Sequence, residues 1–410
     1  MIEEYYSLVI IALIAFITPL LLTRTGIPVV VGEISFGLIV GVMLYICDTF
    51  FGARPLIFGP SVQFLATIGL IFLMFLSGLE IDFGQIESAG LKGFLIGTII
   101  FELTLILALP LASLFIKMMN LNVEPFYMAI ILSTTSVAVV LSVIREMKIS
   151  RTSFGQRILV IALISDIGAM LLVTIYAIRI QVIQFADSLF GSISIIILFM
   201  IFLTFLLIYK IGSLAIWHHP DILKKFFKSD DPHEIGIRAS LAIIFIFVAI
   251  AGIVKSEAMA ILGAFLAGAV ISLLFQEGAL LTKKLYGIGY GFLIPIFFIN
   301  LGATFDFDAI LNVNALALLP SLLLIAIVAK IIPCIVLSKR SAMKGNLATG
   351  VLLTGGLTLM IAASEIGLRL GILDRMTYSM IILVAIILAV LSPTLFKYLF
   401  KKFGIGGEVR

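Results

Sequence analysis

Charge is what this 410-residue chain has least of: only 12% of its residues are Asp, Glu, Lys or Arg, about half the share found in soluble domains. With 62% hydrophobic residues and a mean hydropathy of +1.27, the composition excludes a water-soluble enzyme, a disordered chain and a coiled coil. Cysteine is scarce: Cys47 and Cys334 lie in or beside apolar segments, so no disulfide framework is indicated. The three histidines, His218, His219 and His233, share one polar segment and read as bystanders rather than pH sensors. No Cys/His cluster suggests a metal centre, and no Walker-type phosphate loop suggests ATP as an energy source. No cofactor is called for. The balance of 27 basic and 23 acidic residues is too even to argue for nucleic acid. The N-terminus has neither a basic leader nor a small-residue cleavage site, so the first apolar run reads as a retained span.

Long apolar runs are what the chain does have. Cut at charge clusters and turns, they predict thirteen membrane helices: 5–22, 27–47, 60–79, 93–116, 125–144, 157–178, 192–209, 236–254, 258–275, 285–303, 315–337, 347–368 and 376–396. The runs are too long and continuous for a transmembrane β-barrel, so the fold class is an all-α polytopic membrane protein. An odd count puts the termini on opposite sides. With the N-terminus outside, twenty of the 27 Lys and Arg residues fall in inner loops and six in outer loops, and Lys330 lies within a span. Six helices, a linker helix with the long loop 211–235, then six more is the arithmetic of an inverted repeat, the plan of many secondary transporters.

Charged groups at membrane depth are costly and mark function by default. Asp166 stands alone in Ile161–Met170, with Ser165 beside it, and is poised between holding a proton and holding a small cation. Lys330 is a counter-charge for an acid or for helix-end carbonyls, a proton carrier, or half of a structural ion pair. Glu102, in the fourth span, is its possible partner, and Glu365 is a further buried acid. Glu33 reads as a structural residue near the entry of its span, and Gly37 and Gly41 form a small-residue face for close packing or dimerisation.

Two spans read as interrupted. The fifth carries the hydroxyl run Ser133-Thr134-Thr135-Ser136, and the twelfth carries Thr354-Gly355-Gly356-Leu357-Thr358. They occupy matching places in the two halves, the strongest sequence pointer to a transporter's site. Asp166, Ser165, Thr134, Thr135 and unwound carbonyls offer the oxygen ligands that a hard cation such as Na⁺ favours.

In these residues the chain resembles the cation:proton antiporter-2 family, with its Kef-type and Nap-type members. Gly32-Glu33-Ile34 with Gly37 and Gly41 is similar to the family's second-helix motif, and Phe75-Leu76-Ser77-Gly78-Leu79-Glu80-Ile81-Asp82 to the end of its third helix. Thr134-Thr135-Ser136-Val137 resembles the broken fifth helix, Asp166 aligns with the essential acid of the sixth, Phe297–Gly302 resembles the end of the tenth, and Lys330 aligns with the basic residue of the eleventh. The resemblance implies a Nap/NhaA-like fold with two broken crossing helices, a homodimer and an elevator-like motion. It also implies a dimer panel over about 1–90 and 236–303, a core over about 91–190 and 304–400, and a linker over 191–235. Where electrogenic relatives carry two adjacent acids, this chain has Ser165-Asp166. Where electroneutral relatives often carry an arginine, it has Lys330.

The expected function is therefore Na⁺/H⁺ antiport in pH homeostasis, 1:1 and electroneutral, by a homodimer in a prokaryotic cell membrane with its C-terminus cytoplasmic. Na⁺ and H⁺ would compete for Asp166. The alternatives are antiport of K⁺ or Li⁺, a Kef-type gated K⁺ pathway, a bile-acid-type symporter and a non-transporting membrane sensor.

Overall fold

The computed structural model describes residues 2–22, 27–52, 56–184, 234–252, 257–274, 279–308, 313–336 and 343–404. The predicted seventh span, 192–209, and all three histidines lie outside them. Among the described residues there is no strand. Among the described residues nine helices are long and apolar enough to cross a membrane, ten if a bent pair counts as one span. Segments 236–249 and 257–273 are helical and apolar but shorter. Each of the other twelve predicted runs falls on helix, two of them with an interruption.

The chain divides into two compact units. Unit 1 comprises Met1–Phe83 and Ala177–Phe305. Its helices are α1 (Ile2–Leu22), α2 (Val29–Phe51) and α3 (Pro60–Leu79) from the first stretch. From the second come α9 (Ile235–Gly252), α10 (Glu257–Leu274), α11 (Ala279–Ile288), a π-helical turn (Gly289–Leu293) and α12 (Ile294–Ala303). Within this unit the helices approach at glycines. A Cβ on Gly37 of α2 would run into the carbonyl of Ile299, and one on Gly302 of α12 into that of Ile34. Gly78 of α3 and Gly268 of α10 face each other in the same way, against the carbonyls of Phe265 and Phe75. Lipid offers no hydrophobic gain for joining helices, so close backbone packing is what holds them. The close approach that Gly37 permits is thus used inside the chain, against α12.

Unit 2 comprises Gly84–Tyr176 and Asp306–Arg410. Its first stretch holds α4 (Phe83–Ser88, begun one residue earlier), α5 (Gly90–Met118), α6 (Pro125–Ser133), α7 (Val137–Glu146) and α8 (Ser153–Gln184, which runs on into unit 1). The second holds α13 (Val313–Val336), α14 (Met343–Leu353), α15 (Leu357–Arg369) and α16 (Arg375–Lys402). Each stretch thus repeats one pattern: long helix, broken helix, long helix. On α5, Gly97, Phe101, Thr104 and Ala108 form the buried stripe. Gly97 packs on Ile164 of α8, and Phe101 lies over Gly168. Pro125 starts α6 at a position that needs no amide hydrogen, and Asp374 caps α16 by accepting the Thr377 amide at 2.8 Å.

The glycine contacts make a specific prediction. Gly268→Ala forces its methyl group into backbone and should destabilise the protein by about 1–3 kcal/mol, as overpacking does. Gly287→Ala, where nothing lies within 4 Å of the new methyl, should be neutral or slightly stabilising. Thermal unfolding of both variants in detergent checks this; equal midpoints would refute it.

Candidate ion-binding site

Both interruptions lie in unit 2. The fifth-span helix stops at Ser133 and resumes at Val137. Thr134 (ψ 143°) and Ser136 (φ −108°, ψ 112°) are extended, and Thr134, Thr135 and Ser136 are fully buried. At the break the Ser133 hydroxyl donates to the Ala129 carbonyl and that of Thr134 to the Ile131 carbonyl, both at 2.7 Å. The second interruption, Thr354-Gly355-Gly356, bends its span by 45°.

The two unwound segments cross and bind each other. The Ser136 amide donates to the Gly355 carbonyl at 2.9 Å. The Thr135 hydroxyl donates to the Leu353 carbonyl at 3.2 Å, and the Ser136 and Thr358 hydroxyls are 3.4 Å apart. Glycine is required where the strands pass: a Cβ on Gly356 would lie 2.7 Å from the Thr134 carbonyl oxygen, and one on Gly355 would lie 2.5 Å from Ser392 Oγ. About two turns from the crossing, the Tyr127 hydroxyl donates to the Ala363 carbonyl at 2.7 Å, tying α6 to α15.

Lys330 reaches this crossing from α13. It is 2% exposed, and its ammonium donates to the Thr134 carbonyl, just past the last turn of α6. A cation belongs there, because the C-terminal carbonyls of a helix carry partial negative charge. The carboxylate of Asp166, half-buried midway along α8, acts electrostatically on the same ammonium. Ser165 beside it is 4% exposed. The structure therefore links Asp166, Lys330 and the crossing within one unit.

The other two candidate charges stand apart. Glu102 is exposed on α5, next to but off the stripe that faces α8, whereas the Lys330 ammonium is enclosed. Glu102, the possible partner of Lys330, does not pair with it; the ammonium bonds to a backbone carbonyl instead. Glu365 is engaged near the far end of α15, accepting from Arg369 at 2.8 Å and from the Tyr378 hydroxyl. Two residues at the site escaped the sequence reading. Tyr127 looked like an ordinary aromatic. Ser392 could have been flagged by the Ser392-Pro393 step inside the last span; it is 1% exposed, and its hydroxyl makes no hydrogen bond among the described residues. Among the described residues no His, Cys, Asp and Glu cluster could hold a metal ion.

Chemically, the site joins one carboxylate, one ammonium and a set of oxygens. The hydroxyls of Thr134 and Thr135 donate to carbonyls, which leaves their own lone pairs able to face a cation.

Known proteins share both the sequence and the fold. The putative Na⁺/H⁺ antiporter YjbQ of Bacillus subtilis is 36% identical over 97% of this chain, which spans 63% of that protein's length. The probable Na⁺/H⁺ antiporter 3 of Methanocaldococcus jannaschii is 29% identical over 97% of this chain and 96% of its own. The structure of the sodium proton antiporter MjNhaP1 from M. jannaschii at pH 8 superposes with a TM-score of 0.61 at 17% identity, over 98% of this chain and 97% of the other, a likeness of fold. The family profile described as "Sodium/hydrogen exchanger, transmembrane" matches residues 11–402. The chain is a member of the sodium/hydrogen exchanger family.

Proposed function

We propose that the chain exchanges Na⁺ for H⁺ across a cell membrane, with both ions competing for Asp166. The observation that carries this reading is the single carboxylate in the field of a buried ammonium that is itself bonded to the crossing of two unwound segments. Ser165 and the hydroxyls and carbonyls of Thr134 and Thr135 complete the cation's oxygen shell. Lys330, with Ser133, Ser136, Gly355 and Gly356, holds the crossing in shape.

Competition for one carboxylate gives exchange without further machinery. A site that carries either a proton or a Na⁺ has the same net charge in both loaded states. Exchange is then 1:1 and electroneutral, provided that Lys330 keeps its proton throughout. Access alternates as the segment-crossing unit carries its site across the membrane in an elevator-like movement. The chain works as a homodimer with thirteen spans, the N-terminus outside and the C-terminus in the cytoplasm. The names of the relatives favour Na⁺ over K⁺. The finer placement in the antiporter-2 branch rests on the motif order from Gly32 to Lys330, because the matches reach the broader exchanger family.

The test is proton flux in proteoliposomes under an imposed pH gradient, challenged with Na⁺, Li⁺ or K⁺. Na⁺ should dissipate the gradient, and Asp166→Asn should reduce that flux at least about 100-fold, as expected for a charged ligand worth about 3 kcal/mol. Dissipation by K⁺ alone would make the protein a K⁺/H⁺ antiporter; none with any cation would sink exchange altogether.

Two further outcomes follow from the geometry. The Na⁺-driven flux should not change when the membrane potential is clamped at different values, and a potential-dependent rate would show Lys330 to be a second proton carrier. Lys330→Met leaves the Thr134 carbonyl bare and should lower the thermal unfolding midpoint by about 5 °C or more, given roughly 3–5 kcal/mol for breaking a buried charged contact. An unchanged midpoint would mean that the ammonium does not hold the crossing.

A further inference from the structure

One polar group at the crossing is not used by the hydrogen bonds that close it. Ser392 lies on α16, the last long helix of unit 2. It shares the buried stripe of that helix with Ala385, Leu388, Ala389 and Phe396. It is 1% exposed, and its hydroxyl has no hydrogen-bond partner among the described residues. A hydroxyl within a helix ordinarily donates to a carbonyl three or four residues back. Thr394 of the same helix donates to Val390, and Thr104 of α5 to Ile100, both at 2.7 Å. Ser392 departs from that pattern. Its Oγ lies against the second unwound segment, where a Cβ on Gly355 would come within 2.5 Å of it. Val139 of α7, just past the first break, lies 3.1 Å from the same Cβ.

The helix beside Ser392 is short of a donor as well. Pro393 stands inside α16 and has no amide hydrogen, so the Ala389 carbonyl loses its usual helical bond. Ala389 is fully buried. A helix carbonyl points towards the residue four on, which places this one beside Ser392. A serine hydroxyl has one hydrogen and two lone pairs. The hydrogen has the Ala389 carbonyl to go to. The lone pairs face a segment whose nearest groups are committed: the Gly355 amide donates to the Leu352 carbonyl at 3.2 Å, and the Gly355 carbonyl accepts from the Ser136 amide. A buried oxygen with free lone pairs, set against an unwound backbone, suits a hard cation.

We propose that Ser392 is an oxygen ligand of the transported cation, supplied to the crossing by α16. The proposal rests on the reading that Na⁺ is bound at this crossing with Asp166. When the ion binds, the Ser392 hydroxyl turns its hydrogen to the Ala389 carbonyl and its lone pairs to the ion. The cation is then held from α8, from the first break and from α16.

The test compares the full chain with Ser392→Ala and Ser392→Cys in two assays. One is the rise of the thermal unfolding midpoint in detergent as NaCl replaces choline chloride, which reports binding. The other is Na⁺-driven proton flux in proteoliposomes. Cysteine keeps the volume but replaces a hard oxygen with a soft sulfur, and it serves if the alanine variant does not fold. In both assays each substitution should raise the half-saturating Na⁺ concentration about 10-fold, the equivalent of about 1.4 kcal/mol. The maximal flux should change by less than about twofold, as expected for a lost binding contact. Without Na⁺, Ser392→Ala should unfold at the wild-type midpoint or above it, because it removes an unpaired buried hydroxyl. A half-saturating concentration unchanged in either variant overturns the proposal and leaves exchange at Asp166 standing. A wild-type chain that neither binds nor transports any cation overturns both.

Discussion

Every unwound peptide inside an apolar unit leaves amide and carbonyl groups that lipid cannot solvate, and each one left bare costs several kcal/mol. Unit 2 unwinds twice, at 134–136 and at 354–356, so its integrity depends on pairing those groups with each other. The bond from the Ser136 amide to the Gly355 carbonyl joins the segments directly. Thr135 covers the last carbonyl of α14, and Lys330 covers the carbonyl that follows α6. The crossing is therefore a structural unit in which neither break is tolerable without the other. The glycines belong to the same requirement, since Gly356 must pass the Thr134 carbonyl with no side chain between them.

The two negative helix ends at the crossing are treated differently. A hydroxyl serves one and a full ammonium the other. A single buried ammonium would be expensive, and Asp166 on α8 supplies the opposing charge. The carboxylate therefore serves two purposes. It balances Lys330, and under the proposed exchange it binds the ion. Those purposes conflict whenever an ion binds, because the ammonium then loses its counter-charge. The loss is the same for Na⁺ and for H⁺, so it discriminates between neither ion. It weakens both, which suits a carrier that must release its cargo.

The site was legible in sequence because polar residues stand out against so apolar a background. Asp166, Lys330, the hydroxyl run and the Gly355-Gly356 pair are all interruptions of hydrophobic runs, and an interruption needs no alignment to be seen. What could not be read was direction. Glu102 interrupts its run as plainly as Asp166 does, yet its side chain is exposed. Both faces of α5 are apolar, so no period in the sequence tells which face is buried. Packing of Gly97 and Phe101 on α8 decides it. Ser392 was hidden for the opposite reason: a lone serine in a span is commonplace, and only its place against Gly355 gives it meaning. The π-helical turn at Gly289–Leu293 leaves no signature beyond two glycines around a tyrosine.

The two units use different means to stay folded, and the difference suits different tasks. Unit 1 locks its helices through backbone contacts at Gly37, Gly302, Gly78 and Gly268, where nothing can shift without a collision. Such packing has one arrangement and resists deformation. Unit 2 closes its crossing through hydrogen bonds from rotatable hydroxyls and a flexible lysine. Under the proposed exchange, a rigid frame and a polar crossing are what an ion carrier has to combine. Facing glycine pairs, Gly37 with Gly302 and Gly78 with Gly268, belong to unit 1, whereas unit 2 sets Gly356 against the Thr134 carbonyl and adds the consecutive hydroxyls.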